Sequence, residues 1–211
     1  MPNFIELTGP GSERLPADSV AVPPLGAIEE HGPRLPLSTD FTIASAADAT
    51  VTEAGGGFGL LPAPPTPKSD EHAWSSGTLR LSWDTVMRTL TDIGNSLAAS
   101  PVRRLVFLND HGGNSALLQV ASRELRQRFG LRTFLTHPGM PAGQGGASPA
   151  GELSMGVHGG RNETSVMPLL RPDLVRLDLA VRSVPERLAS YEHIGFGRAA
   201  GSATTSAHEA A

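Results

Sequence analysis

The sequence predicts a layered α/β domain with a mainly parallel sheet flanked by helices, and three observations predict it. Short apolar runs alternate with longer amphipathic stretches along the chain. Val102 to Leu135 reads as one complete βαβ unit. Side chains of metal-binding type follow directly on two of the predicted strands, at the rim where open α/β sheets bind ligands.

In chain order, Ser19 to Leu25 is an apolar run with Val20 and Val22, and Pro23-Pro24 makes its end irregular or places it at an edge. Asp40 to Ala54 is rich in alanine and free of internal glycine and proline, so it reads as a helix closed by Gly55-Gly56-Gly57. Phe58 to Leu61 is a strand before the proline-rich turn Pro62 to Pro67. Ser82 or Asp84 caps a helix that runs to about Ala99, with Val86, Leu90, Ile93 and Leu97 on one face. Val102 to Leu108 is the clearest strand. Asn114 to Phe129 carries Leu117, Leu118, Ala121, Leu125 and Phe129 at helical spacing, Gly130 stops it, and Leu131 to Leu135 returns as a strand. Pro138 to Gly151 reads as a flexible loop placed to overhang the rim, and residues 197–211 as a disordered tail after one domain spanning 1–196.

Composition narrows the classes of function. The chain has 211 residues, 18% of them charged, with a formal net charge of -4. Its basic residues are scattered, which offers no footprint for nucleic acid or a membrane surface. No apolar run reaches the ~18 residues needed to span a bilayer, and Met1 to Arg14 lacks the order of a secretory signal. A cytoplasmic location is the expectation. The absence of cysteine rules out disulfides and thiolate metal sites.

Three segments concentrate the chemistry: Glu29-Glu30-His31 with Asp40, Asn109 to Asn114 around His111, and His158 to Glu163. Imidazoles and carboxylates without thiolates suit zinc, manganese or a similar cation. In extended backbone Glu29 and His31 point the same way while Glu30 faces elsewhere. Asp40 is either a helix N-cap or, beside Glu29 and His31, a metal-bridging carboxylate. Asp110 either orients His111 or is a turn residue. The glycines after His111 let backbone approach a ligand, and the helix that follows favours an anion. Glu163 enters a helix start, whereas His158 stands free of the metals as a proton shuttle or is a surface histidine. Glu71-His72, followed by Trp74, reads as a wall of the substrate pocket or as a structural loop. His137, His193 and His208 have no carboxylate company and receive no role.

These residues resemble the creatininase (creatinine amidohydrolase) family from about Leu15 to Gly195. Pro24 to Pro33, continuing through Leu35 to Asp40, is similar to its first signature, Asn109 to Asn114 to its second and His158 to Ser165 to its third. The resemblance implies two divalent metal ions, Zn2+ and/or Mn2+. Glu29, Asp40 and His111 would bind one, His31, Asp40 and Glu163 the other, with His158 as the catalytic histidine. It also implies hydrolysis of an amide or cyclic amide C–N bond by a hydroxide bridging the metals, and a homo-oligomer, commonly a hexamer. No serine or cysteine nucleophile is needed: the chain has no cysteine and no Gly-x-Ser-x-Gly elbow.

The sequence departs from the family in places. Gly113 stands where creatininases carry a glutamate, Asp110 where a glycine is usual, and the Pro138 to Gly151 loop lacks the tryptophans that close over creatinine. After about Phe196 the tail stops resembling the family. Three other readings stay open: a peptidase that trims a ribosomally made redox-cofactor precursor, a deformylase of flavin-type cofactor synthesis, and a non-catalytic metal-binding homologue.

Overall fold

The computed structural model describes residues 4–53, 58–61, 68–138 and 158–181. Strands β1 (Val20–Val22), β2 (Pro24–Leu25), β3 (Phe58–Leu60), β4 (Arg104–Asn109) and β5 (Arg132–Thr136) form one sheet whose strand pairings are all parallel. Helices α1 (Gly9–Glu13), α2 (Thr39–Glu53), α3 (Trp83–Ala98), α4 (Ser115–Phe129) and α5 (Arg161–Leu170) complete the elements used below.

The predicted first strand is present but broken. Val20 and Ala21 pair with Arg104 and Leu105, and Pro24 and Leu25 pair with Leu108 and Asn109. Pro23 has no N–H to give the ladder and contributes only its carbonyl, which accepts from Leu108 N at 3.3 Å. β1 and β2 therefore flank β4 as two halves of one line, with β3 beyond β1 and β5 on the far side of β4. The chain runs outward from β1 to β3, then returns to β4 and leaves the other way to β5. The topology reverses between β1–β2 and β4, and a crevice opens at such a point beyond the strands' carboxyl ends.

The helices follow from capping and periodicity. Ser82 caps α3 by accepting from Thr85 N at 3.3 Å, and Val86, Leu90 and Leu97 are buried with Ile93 half-buried beside them. In α4 the buried face is Leu118, Ala121, Ser122 and Leu125, and Gly130 at φ 65° ends the helix. These two helices pack together over Ala21, Leu25, Leu105 and Phe107 of the sheet as the main core. A second core, Leu35, Ile43 and Met167, joins α2 to α5. Layers on separate cores account for the α/β pattern read in the sequence.

One close approach sets the site. A Cβ on Gly26 would overlap the backbone of Asp40 and Phe41, so only glycine after β2 lets the first turn of α2 lie against it. The expected closing glycines of α2, the Pro62 to Pro67 turn, most of the Pro138 to Gly151 loop and the tail 197–211 lie outside the described residues. Among the described residues no helix is long and apolar enough to cross a membrane.

Candidate metal centre

The three predicted segments meet at the topological reversal. Gly26 to His31 leaves β2, Asp110 to Asn114 leaves β4, and Asp40 opens α2 beside them. Glu29 N donates to the Leu37 carbonyl at 2.9 Å, and Leu79 N to the Ile28 carbonyl at 2.9 Å, which keeps the Glu29 segment extended. Glu30 turns away as expected and accepts from Gly32 N at 2.6 Å.

Around Asp40 the ligand-type atoms crowd. Its Oδ1 lies 2.7 Å from His31 Nε2, and its Oδ2 lies 3.0 Å from His111 Nδ1. His111 Nδ1 is 3.3 Å from Glu29 Oε1, and His31 Nε2 is 3.9 Å from Glu163 Oε1. Glu163 reaches inward from the first turn of α5, its other oxygen accepting from Gly160 N at 2.9 Å. All five residues predicted to bind metal are therefore gathered. The N-cap alternative for Asp40 does not hold, because Asp40 lies inside the first turn of α2 and no backbone N–H donates to its carboxylate.

The outward contacts fix which ring nitrogens face the cluster and would ligate a cation once deprotonated. His31 Nδ1 donates to the Glu29 carbonyl at 3.1 Å, leaving Nε2 directed at Asp40. His111 Nε2 lies 2.6 Å from the Lys68 carbonyl and 3.1 Å from Glu71 Oε1, leaving Nδ1 directed at Glu29 and Asp40. A ring N–H given to a carbonyl or carboxylate, with the opposite nitrogen bare, is the arrangement of metal-bound histidine. Glu29 Oε1, His31 Nε2 and both Asp40 oxygens are buried without a hydrogen bond of acceptable geometry. Such orphaned atoms are costly in a protein interior, and a shared cation satisfies all four. The residues fit a divalent metal centre.

The charge states agree with that fit. Burial opposes a charge on His31, but Asp40, with Glu163 and Glu29, overcomes it and pushes the pKa up to about 10. Burial opposes a charge on His111 too, and Asp40, Glu29 and Glu71 together raise it well above the usual imidazole value. Asp40 is held below the carboxylate range by His31 and His111 despite its burial. Burial, then Asp40 and Glu29, push Glu163 up to about 7 against the pull of His31. Without cations, protons balance the acids of this site.

Three sequence expectations need correction or completion. His158 does not stand apart: its ring lies 4.2 Å from that of His31 and 4.0 Å from that of His72, and its Nδ1 is 3.3 Å from Glu29 Oε1. Its other nitrogen contacts the Glu30 carbonyl. Burial, reinforced by His31 and His72, holds its pKa well below the usual imidazole value, so it is neutral. Asp110 does not orient His111; Lys68 and Glu71 contact that ring instead. Burial, with Asp40 and Glu163 adding repulsion, pushes Asp110 up to about 9. His137 lies 3.4 Å from Asn109 Nδ2, while His193 and His208 fall outside the described residues.

The loop Lys68 to His72 is stitched into the centre more tightly than a pocket wall. Ser69 Oγ donates to Glu29 Oε2 at 2.5 Å, leaving Oε1 for the cluster. Lys68 N donates to Asn114 Oδ1 at 3.0 Å. The sequence reading also missed Arg34, which is buried at 1% exposure. Its Nε donates to Thr164 Oγ1 at 3.1 Å and its Nη2 to the Gly159 carbonyl, so it ties the first segment to the third. A Glu-His pair in a loop hints at chemistry; nothing in the sequence marks one arginine as buried.

Comparison with known proteins gives this geometry a lineage. The family model described as creatininase, creatinine amidohydrolase, matches residues 6–210. A mycofactocin precursor peptide peptidase of Mycobacterium ulcerans (strain Agy99) is 35% identical over 188 residues, which cover 84% of this chain and 69% of that protein. The creatinine amidohydrolase of Pseudomonas putida is 32% identical over 191 residues, covering 83% and 73%. Among solved structures, a manganese creatininase superposes with a TM-score of 0.71 at 29% identity, covering 87% of this chain and 79% of that one. A mutant creatininase of Zn-Zn type gives 0.69 at 31%, covering 85% and 76%. The chain thus belongs to the creatininase family, as a metal-dependent amidohydrolase rather than a serine or cysteine hydrolase.

Proposed function

We propose that this chain hydrolyses an amide bond of a peptide, holding two divalent cations. Glu29, Asp40 and His111 hold one and His31, Asp40 and Glu163 the other, with Asp40 shared. The observation that carries the reading is that Glu29 and His31, His111, and Glu163 come from three segments to surround Asp40, with Glu29 Oε1, His31 Nε2 and both Asp40 oxygens buried without a hydrogen bond of acceptable geometry. When bound, such a pair of cations supplies Lewis acidity that polarises the scissile carbonyl and acidifies water. The named solved relatives carry manganese or zinc, which supports one or both of those ions.

The chain's own residues do the rest. Ser69 holds Glu29 by one oxygen and the Lys68 carbonyl holds the His111 ring, so neither ligand reorganises during turnover. His158 is neutral and gives its Nε2–H to the Glu30 carbonyl, which leaves Nδ1 facing the centre. From there it takes the proton of the attacking water and passes it to the departing nitrogen. A homo-oligomer, a hexamer by family resemblance, and a cytoplasmic location go with this reading.

A peptide is preferred to creatinine on two grounds. Relatives named as mycofactocin precursor peptide peptidases reach 35% and 36% identity, against 32% for the creatinine amidohydrolase. In addition, Gly113 stands where creatininases carry a glutamate. The test is to incubate the zinc- or manganese-loaded protein with a mycofactocin precursor peptide and, separately, with creatinine, and to follow both by mass spectrometry. Cleavage of the peptide alone is expected. Turnover of creatinine alone assigns the cyclic-amide activity instead, and no turnover of either removes the substrate assignment.

A further inference from the structure

A row of rings leads from the buried metal centre to the surface. Between ring centroids, His31 and His158 lie 4.2 Å apart, His158 and His72 4.0 Å, and His72 and Trp74 6.4 Å. Burial falls away along the row: His31 is 1% exposed and Trp74 44%. The indole is its outermost ring.

Trp74 is held in place despite that exposure. Its Nε1 donates to the Glu71 carbonyl at 3.1 Å. The turn around it is closed by Ala73 N on the Asp70 carbonyl at 3.1 Å and by Ser75 N on the His72 carbonyl at 3.0 Å. The loop is fastened to the Glu29 segment on both sides of Trp74, through Ser69 Oγ on Glu29 Oε2 at 2.5 Å and Leu79 N on the Ile28 carbonyl at 2.9 Å. With its one polar atom satisfied, the ring offers only apolar surface to anything that covers it. A pre-positioned aromatic face gains from burial and has little freedom left to lose.

In the peptide-hydrolysis reading given above, on which this inference rests, His158 passes a proton to the departing nitrogen. The residue that carries this nitrogen therefore begins beside His158, and two ring steps separate it from the indole. A leucine or phenylalanine side chain with a van der Waals contact at its end covers about that distance, and alanine falls short. We propose that Trp74 is a specificity-determining residue, a wall of the substrate cleft that packs against a large apolar side chain on the residue carrying the departing nitrogen. Continuity with the metal centre favours the substrate over a partner protein as the occupant, since binding clefts are lined by aromatic surface next to a few polar groups.

The test uses the zinc-loaded full chain and a mycofactocin precursor peptide whose scissile amide has been located by mass spectrometry. The residue after that bond is made alanine, leucine or phenylalanine in turn. Wild type should favour leucine and phenylalanine over alanine in kcat/KM, mainly through KM, and Trp74→Ala should shrink the preference by about tenfold. Trp74→Phe keeps a ring but loses the N–H to Glu71, and it should retain most of the preference. An undiminished preference in W74A, a loss as large in W74F as in W74A, or a loss of bound zinc in W74A overturns the proposal and leaves the peptide reading standing. The last two outcomes make Trp74 a brace for Glu71. No cleavage of any peptide overturns both. Should W74A not fold, Trp74 emission is read in zinc-loaded Trp83→Phe carrying His158→Ala, where Trp74 is the remaining tryptophan. A blue shift with the phenylalanine peptide and none with the alanine peptide supports the wall, and unchanged emission with both overturns it.

Discussion

Gly113 and Glu71 share one volume: a Cβ added to Gly113 would overlap Glu71 Oε1 and press on the His111 ring. An acid from a different loop thus fills the space that any side chain at residue 113 would need. Glu71 lies 3.1 Å from His111 Nε2; burial opposes its charge, but His111, its own backbone N–H and His72 together hold it below the ordinary carboxylate value. It remains charged and stiffens the His111 imidazole, whose other nitrogen faces Asp40.

Glu71→Ala should therefore weaken zinc binding by about 10–100-fold, the usual effect of removing the partner of a ligating histidine. Gly113→Ala should do the same by displacing the carboxylate. Competition against a chelator of known affinity measures both. Unchanged affinity in both variants would show that His111 needs only the Lys68 carbonyl.

Arg34 links the segment after Glu29 to Gly159 and Thr164. Hydrogen bonds from a charged donor contribute about 1.5–3 kcal/mol each. Arg34→Ala should cost roughly 3 kcal/mol of stability in urea denaturation and reduce metal content, because Glu163 and His158 lie on the segment it fastens. A loss below about 0.5 kcal/mol, the range of an ordinary surface change, would assign the clamp elsewhere.

Zinc affinity should rise with pH. A cation needs the lone pair of His31, whose pKa stands at about 10 in the metal-free protein, so binding near neutrality expels a proton. Glu163, at about 7, is mostly protonated below that value and releases a second proton there, so the dependence steepens at lower pH. Calorimetry in two buffers of different ionisation enthalpy counts the protons. Zinc uptake without proton release would contradict these charge states.

His158→Ala should retain both tight cations and lose turnover by about 10²–10⁴-fold, as expected for removal of a general acid or base. The peptide-cleavage assay and a metal analysis check the two halves separately. Full turnover in the variant would make His158 a bystander.

The fold and the Asp40 cluster were legible because they rest on local rules. Val102 to Leu135 announces its strand–helix–strand unit by apolar spacing, and Glu29 with His31 announces a shared direction by the two-residue period of extended chain. Gly26 and Pro23 explain what those rules leave out, namely a strand broken in two and a helix start pressed against its end. Lys68 to His72 was only half legible: its type of residue shows, but its hold on His111 crosses 43 residues of sequence and obeys no period. Arg34 was not legible at all, since an arginine's burial depends on what the distant segment Gly159 to Thr164 brings to it. His158 was expected to stand free, because the folding of its segment onto Glu29 and Glu30 is a long-range event.

The central claim is that Asp40 is shared by two cations, and metal analysis of wild type beside Asp40→Ala tests it most directly. After loading with zinc at a stoichiometric excess and exhaustive dialysis, the account predicts two bound ions per wild-type chain and essentially none in D40A, with the variant folded by circular dichroism. Two ions retained by folded D40A would contradict it.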